Sequence, residues 1–248
     1  MTGRVRMAVL ALAVLTAAGC TAAVNPAGTA APPAGSASVR SDSTPSTVRN
    51  TVSNPQADAR LLAAAAAGDV AGVRSALAAG ADLETRDAHR RTPLLLAAAA
   101  DRVEAARVLV AAGADPNALD DRHDTPWLVT GVTGSVEMGK ALLPAGPDMT
   151  IRNRYGGVSV IPASERGHVE YVRWVVTTGI DVNHVNDLGW TALLEAVILG
   201  DGGARHVEIV KTLLAAGADP ALADRDGVTA LQHAQRSGYR EMAAALGG

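Results

Sequence analysis

The chain is poor in aromatic side chains. It contains no phenylalanine, three tryptophans and three tyrosines among 248 residues. Aromatic side chains bury the most area in an ordinary core, so this composition argues against one large globular core and favours short, closely stacked helices. There is also only one cysteine, Cys20, which excludes a disulfide within the chain.

Positive charge is scarce as well. The formal net charge is −3, and it becomes −5 without Arg4 and Arg6 near the N-terminus. A protein that binds nucleic acid needs a basic face to contact the phosphates. Nucleic acid is therefore excluded as the expected partner.

The usual motifs of metal sites and hydrolases are missing. The sequence has no His-x-x-x-His or Cys-x-x-Cys spacing and no Gly-x-Ser-x-Gly motif. Two His-Val-Glu triplets, at 168–170 and 206–208, could be mistaken for acid–base pairs, but they occupy equivalent places in a repeat and we interpret them as structural. The sequence predicts no catalytic residue, no metal site and no cofactor.

A repeat organises most of the chain. A glycine closes an apolar run and is followed two residues later by aspartate, with glycines spaced by 33, 33, 33 and 38 residues. The glycines are Gly80, Gly113, Gly146, Gly179 and Gly217. A constant period of this length indicates a stacked repeat array. The longer last step comes from an insert, residues 201–205, whose glycines predict a flexible loop.

Each repeat carries local signals for two short helices. Thr92-Pro93 and Thr125-Pro126 are typical of helix starts, because threonine caps the first N–H groups and proline fits the first turn. With Asp224, Gly227 and Thr229 in the last unit, these residues resemble the Asp-x-x-Gly-x-Thr-Pro-Leu-x-x-Ala core of ankyrin-repeat proteins. The resemblance implies an all-α solenoid of about six helix–turn–helix units with short β-turn fingers over residues 55–248.

Two departures from the family pattern stand out. The fourth unit replaces Thr-Pro-Leu by Val-Ser-Val at residues 158–160, and prolines 144 and 147 interrupt the end of the third. Both predict weaker local structure without changing the fold. Trp127 and Trp174 fall at positions predicted to be in the core.

The N-terminus resembles a bacterial lipoprotein signal. Residues 1–19 have a short basic start and an apolar run that ends before Cys20, and the run is short for a membrane span. We expect Cys20 to be lipidated and residues 20–54, rich in Ala, Pro, Ser and Thr, to form a disordered linker. The alternative is ordinary signal cleavage near Ala23, which would remove Cys20.

The ankyrin resemblance also implies a concave binding face, lined by the finger tips and the first helix of each unit. The side chains at the variable positions of that face, predicted to bind a partner, are His89, Arg91, Arg122, Arg154, Tyr155, Glu165, Arg166, Leu188, Trp190 and Ile198. Tyr155 and Trp190 are the expected anchors, since aromatic and arginine side chains dominate interface energies. The alternative for Trp190 is that it packs on its neighbouring finger.

These observations predict a monomeric protein-interaction module that is exported and held at the cell membrane only by an N-terminal lipid. Its partner would be an extracytoplasmic protein bound through the concave face. The alternative function is an inhibitor or immunity-type protein that blocks a secreted or periplasmic enzyme.

Overall fold

The computed structural model describes residues 54–248, which contain twelve α-helices and no β-strand. The predicted signal, Cys20 and residues 21–53 of the predicted linker lie outside the described residues. The helices are α1 (Pro55–Ala67), α2 (Val70–Ala78), α3 (Pro93–Ala99), α4 (Val103–Ala111), α5 (Pro126–Thr133), α6 (Val136–Leu142), α7 (Val160–Glu165), α8 (Val169–Val175), α9 (Ala192–Ile198), α10 (Ala204–Ala215), α11 (Ala230–Ser237) and α12 (Arg240–Ala245).

The helices pair into six units, from unit 1 (α1 and α2) to unit 6 (α11 and α12). The first helices of successive units pack on each other, as do the second helices, so the array has two layers. None of the twelve helices combines the length and apolar character that a membrane span requires. The predicted all-α solenoid of six helix–turn–helix units is confirmed.

Local capping explains where most first helices begin. Four threonine side chains accept the N–H of the third helical residue at 3.1–3.4 Å, a contact typically worth about 1 kcal/mol relative to alanine. They are Thr92, Thr125, Thr191 and Thr229. In unit 4 the corresponding residue is Val158, and α7 begins only at Val160 with no side-chain cap. The departure predicted to weaken this unit therefore shortens its first helix.

The largest aromatic cluster lies where units 3 and 4 meet. Trp127 is buried, and the rings of Trp127 and Tyr171 lie 5.9 and 5.6 Å from the ring of Trp174. The hydroxyls of Tyr171 and Thr130 form a 2.6 Å hydrogen bond, and burial raises the pKa of Tyr171 to about 12. Of the two tryptophans predicted to be in the core, Trp127 thus lies within it, and Trp174 is half-buried and packs against it.

The insert, residues 201–205, is packed against its neighbours. The Asp201 carboxylate lies 2.8 Å from Nδ1 of His206, and the Tyr239 hydroxyl donates to the Gly200 carbonyl at 3.2 Å. Gly202 has a φ of 70°, and a Cβ added there would lie 2.2 Å from the Tyr239 ring. The flexible loop stays a prediction, but the structure shows that Gly202 lies against Tyr239 of unit 6 and that residues 204 and 205 already belong to α10.

Candidate protein-binding surface

Each finger is held by the side chain of its first residue. One side-chain oxygen of that residue accepts the backbone N–H groups two and four positions later, at 2.8–3.0 Å. The five residues are Asp87, Asp120, Asn153, Asn186 and Asp224. Such a turn is set by local hydrogen bonds. The residues between the first residue of a finger and its second donor therefore have the same backbone arrangement in units 2 to 6.

Neighbouring fingers are also joined to each other. The N–H of Asp121 donates to the His89 carbonyl at 3.2 Å, and the N–H of Asp187 donates to the Tyr155 carbonyl at 2.9 Å. The guanidinium of Arg225 donates to the Asp187 carbonyl. These bonds make the fingers of units 2 and 3, and those of units 4 to 6, continuous surfaces.

The predicted binding residues differ in their exposure. Six are exposed. Five of these lie on the fingers and one, Arg166, lies at the end of α7; the five are His89, Arg122, Arg154, Tyr155 and Leu188. The half-buried ones are Arg91, Glu165, Trp190 and Ile198. Arg91 is also held by Asp87, with 2.7 Å between its Nη2 and the carboxylate.

Of these six exposed side chains, Tyr155 is the one aromatic. Its side chain is 54% exposed, and the Arg154 guanidinium carbon lies 4.6 Å from the centroid of its ring. A cation over an aromatic face is attracted by the ring's quadrupole, so the two side chains form one exposed feature. Trp190 differs, because it is half-buried and packs against the core, whereas the alternative interpretation placed it against its neighbouring finger.

Exposed apolar side chains mark the same face of the array. Each of the large ones lies on a finger, directly before one, or at the end of a first helix, and within residues 54–248 the second helices contribute none of them. They are Leu119, Val132, Tyr155, Val185, Leu188 and Leu199. We call the fingers, the residue directly before each finger and the C-terminal ends of the first helices together the finger face.

Three members of this apolar set were not among the predicted binding residues, although the period points to them. Leu119 and Val185 both precede the first residue of a finger, and Val132 lies 33 residues before Glu165 and 66 before Ile198. Aligning the units position by position would have placed all three on the finger face. Leu199 follows Ile198 directly, at a first-helix position that the family resemblance also implies for partner contact.

A buried acid lies beneath this face. Glu195 in α9 is 6% exposed, and its Oε1 accepts a hydrogen bond from Nδ2 of Asn186 at 2.8 Å. Burial, and then the nearby charge of Glu165, raise the pKa of Glu195 to about 7, although the bond from Asn186 opposes the shift. The sequence contained one signal for this buried acid. Glu195 is charged, whereas the equivalent positions in other units are held by Leu96, Val129 and Pro162.

The two histidines of the His-Val-Glu triplets have the structural role expected of them. Nε2 of His168 lies 3.1 Å from the Val132 carbonyl, and Nε2 of His206 lies 3.0 Å from the Glu165 carbonyl. Each ring therefore joins its unit to the end of the preceding first helix. Across residues 54–248, no three His, Cys, Asp or Glu side chains are grouped so that they could hold a metal ion.

Comparison with known proteins gives one consistent family. The sequence model described as "Ankyrin repeats (3 copies)" matches residues 61–153, 132–224 and 160–247. Among curated proteins, the "Putative ankyrin repeat protein YahD" of Escherichia coli strain K12 is 46% identical over 94 residues, which are 38% of this chain and 47% of that protein. The "Mitochondrial disaggregase" of Bos taurus is 41% identical over 66 residues, 27% of this chain and 9% of that protein. The matches thus span about half or less of these curated relatives.

Solved structures match over more of the chain. An ankyrin repeat domain from Acinetobacter baumannii AYE has 47% sequence identity and a TM-score of 0.72, and the match covers 75% of this chain and 95% of that one. EF0377, an ankyrin repeat protein, has 36% identity and a TM-score of 0.73, with 77% and 97% covered.

Proposed function

The chain belongs to the ankyrin-repeat family, a family of general protein-interaction modules, and from this premise we propose that it binds an extracytoplasmic protein through its finger face while tethered to the cell envelope. The finger face corresponds to the concave binding surface of the family. The proposal assigns the chain no catalytic step.

The distribution of exposed apolar side chains carries this proposal. All six large ones in the described residues lie on the finger face. Isolated exposed apolar residues are ordinary on any protein, but their restriction to one face of a two-layer array favours a binding surface there. Arginines beside them supply the second residue type that typically anchors an interface.

The tether is supported by the sequence of the N-terminus alone. A basic start, an apolar run and Cys20 follow one another as in a lipoprotein signal. One acyl chain binds a membrane only marginally, so stable anchoring needs a second chain, which the diacylglyceryl group of a lipoprotein cysteine would provide. The partner is then expected on the same side of the membrane as the array.

A binding experiment tests the finger face. The full chain is crosslinked in envelope extracts, the captured protein is purified, and its Kd is measured for the wild type and for Tyr155→Ala. We expect Tyr155→Ala to weaken binding about tenfold or more, with little change in stability because the side chain is exposed.

The matched control is Lys211→Ala, at an exposed position on the second-helix layer. It should leave the Kd unchanged. If Lys211→Ala weakens binding as much as Tyr155→Ala does, the partner does not use the finger face. Assaying the captured protein with and without the chain then separates scaffolding from inhibition.

A further inference from the structure

Units 5 and 6 have different residue types at two equivalent positions. In unit 6, Oδ2 of Asp224, the first residue of the finger, lies 2.7 Å from Nε2 of His233 in α11. In unit 5 the equivalent residues are Asn186 and Glu195, and a neutral amide meets the acid. The acid of unit 6 has a basic partner within its own unit, whereas Glu195 has none.

Glu195 also has a second carboxylate for a neighbour. The charge of Glu165 in α7 acts on it, and neither carboxylate forms a salt bridge with any residue in 54–248. Oε2 of Glu195 receives no hydrogen bond from the described side chains or backbone. A nearly buried carboxylate without a cation is unfavourable, so a cation arriving from outside would relieve both charges.

The surroundings of Glu195 suit a cation carried on an apolar stem. Leu199 follows Glu195 by four residues, which places both on one side of α9, and its side chain is 46% exposed. Leu188, on the finger of the same unit, is 49% exposed, and Ile198 in α9 is half-buried and packs against the core. Lysine and arginine bury their methylene stems against such surfaces while the charged head reaches a polar partner.

We propose that the finger face of units 4 and 5 recognises a partner segment that inserts a lysine or arginine side chain between Leu188 and Leu199, with its charged head at the carboxylates of Glu165 and Glu195. This inference rests on the proposed function and specifies the chemistry of the partner. Apolar residues beside the basic one would cover the two leucines.

Binding of this cation should release protons from Glu195. The free Glu195 carboxyl, with a pKa of about 7, is about half protonated at pH 7, and a bound cation would favour its ionised form. Binding at pH 7 should therefore release about half a proton.

The finger and the helices packed against α9 carry these other charged or titratable groups: Asp187, Glu165, Arg166, Arg205, His206, Glu208, Lys211, His233 and Arg236. Of these, Glu165 is the one whose charge raises the pKa of Glu195.

The test uses a displayed library of random peptides selected on the full-length chain. Peptides whose binding is weakened by Leu199→Ser are retained, and their Kd values are measured against wild type, Glu195→Gln and Glu165→Gln. We expect the retained peptides to share a lysine or arginine beside apolar residues. Replacing that residue by glutamine, or Glu195 by Gln, should each weaken binding about tenfold, and the two losses should not add.

Calorimetry in buffers of different ionisation enthalpy measures the proton release, which Glu195→Gln should abolish. Glu241→Gln, an exposed change on α12, is the control and should leave both the Kd and the proton release unchanged. Retained peptides that lack a basic residue, or additive losses, would overturn the inference while leaving the proposed function intact. If no selected peptide responds to Leu199→Ser or Tyr155→Ala, the proposed function fails and the inference fails with it.

Discussion

Replacing Glu195 by glutamine should make the array more stable at neutral and alkaline pH. The glutamine side chain has nearly the same shape, and its oxygen can accept the same hydrogen bond from Asn186. The change removes only the ionisable carboxyl. The difference between the two proteins therefore isolates the cost of ionising Glu195 in its buried site.

The size of the effect follows from the pKa of Glu195, which is raised from 4.5 to about 7 in the folded chain. Between these values the folded state binds more protons than the unfolded state, so the free energy of unfolding falls as pH rises. Each pH unit in this window corresponds to about 1.4 kcal/mol. The stabilising contribution of the protonated carboxyl is complete below pH 4.5 and lost above about pH 7, a difference of about 3 kcal/mol.

Urea unfolding of the full chain, followed by far-UV circular dichroism from about pH 4 to about pH 9, measures this difference. The wild type and Glu195→Gln should have similar stability at the acid end, and the variant should gain about 3 kcal/mol at the alkaline end. His206 and His233 on the neighbouring helices are present in both proteins, so the difference between the two proteins isolates Glu195. Glu241→Gln should show no such pH-dependent gain. A constant offset between wild type and Glu195→Gln across the whole range would refute the reasoning.

Three further changes test the packing and the anchor. Gly131→Ala should lower the free energy of unfolding by about 1–3 kcal/mol, because the added Cβ would lie 1.9 Å from the Ser159 carbonyl oxygen. This loss is expected although alanine favours helix, and an unchanged urea midpoint would contradict it. Gly202→Ala should destabilise the array by about 1–2 kcal/mol, since it combines a positive φ with a clash at the Tyr239 ring, and a thermal melt unchanged from wild type would show that the insert is not packed. Cys20→Ser should move the protein from the membrane to the soluble fraction, and an intact mass of the wild type without Cys20 would rule out the lipid anchor.

The finger face was only partly predictable from the residues that form it. Its location came from the family resemblance, and Tyr155, Arg154 and Leu188 are exposed on it as finger residues should be. Trp190 occupies a similar place in the sequence but packs against the core. Exposure depends on what the neighbouring units place beside a side chain, and one unit's own sequence does not contain that information.

The sequence by itself determined the units and the starts of most helices. A threonine cap such as Thr92 contacts a backbone N–H only three residues away, so its effect is local and recurs wherever the motif recurs. Tertiary structure alone decided how the insert packs and how Glu195 is buried. Gly202 meets Tyr239, and Glu195 meets the charge of Glu165, through contacts between residues about 30 or more positions apart in the chain. Such contacts depend on the stacking of whole units, because a side chain's burial and pKa are set by its neighbours in space.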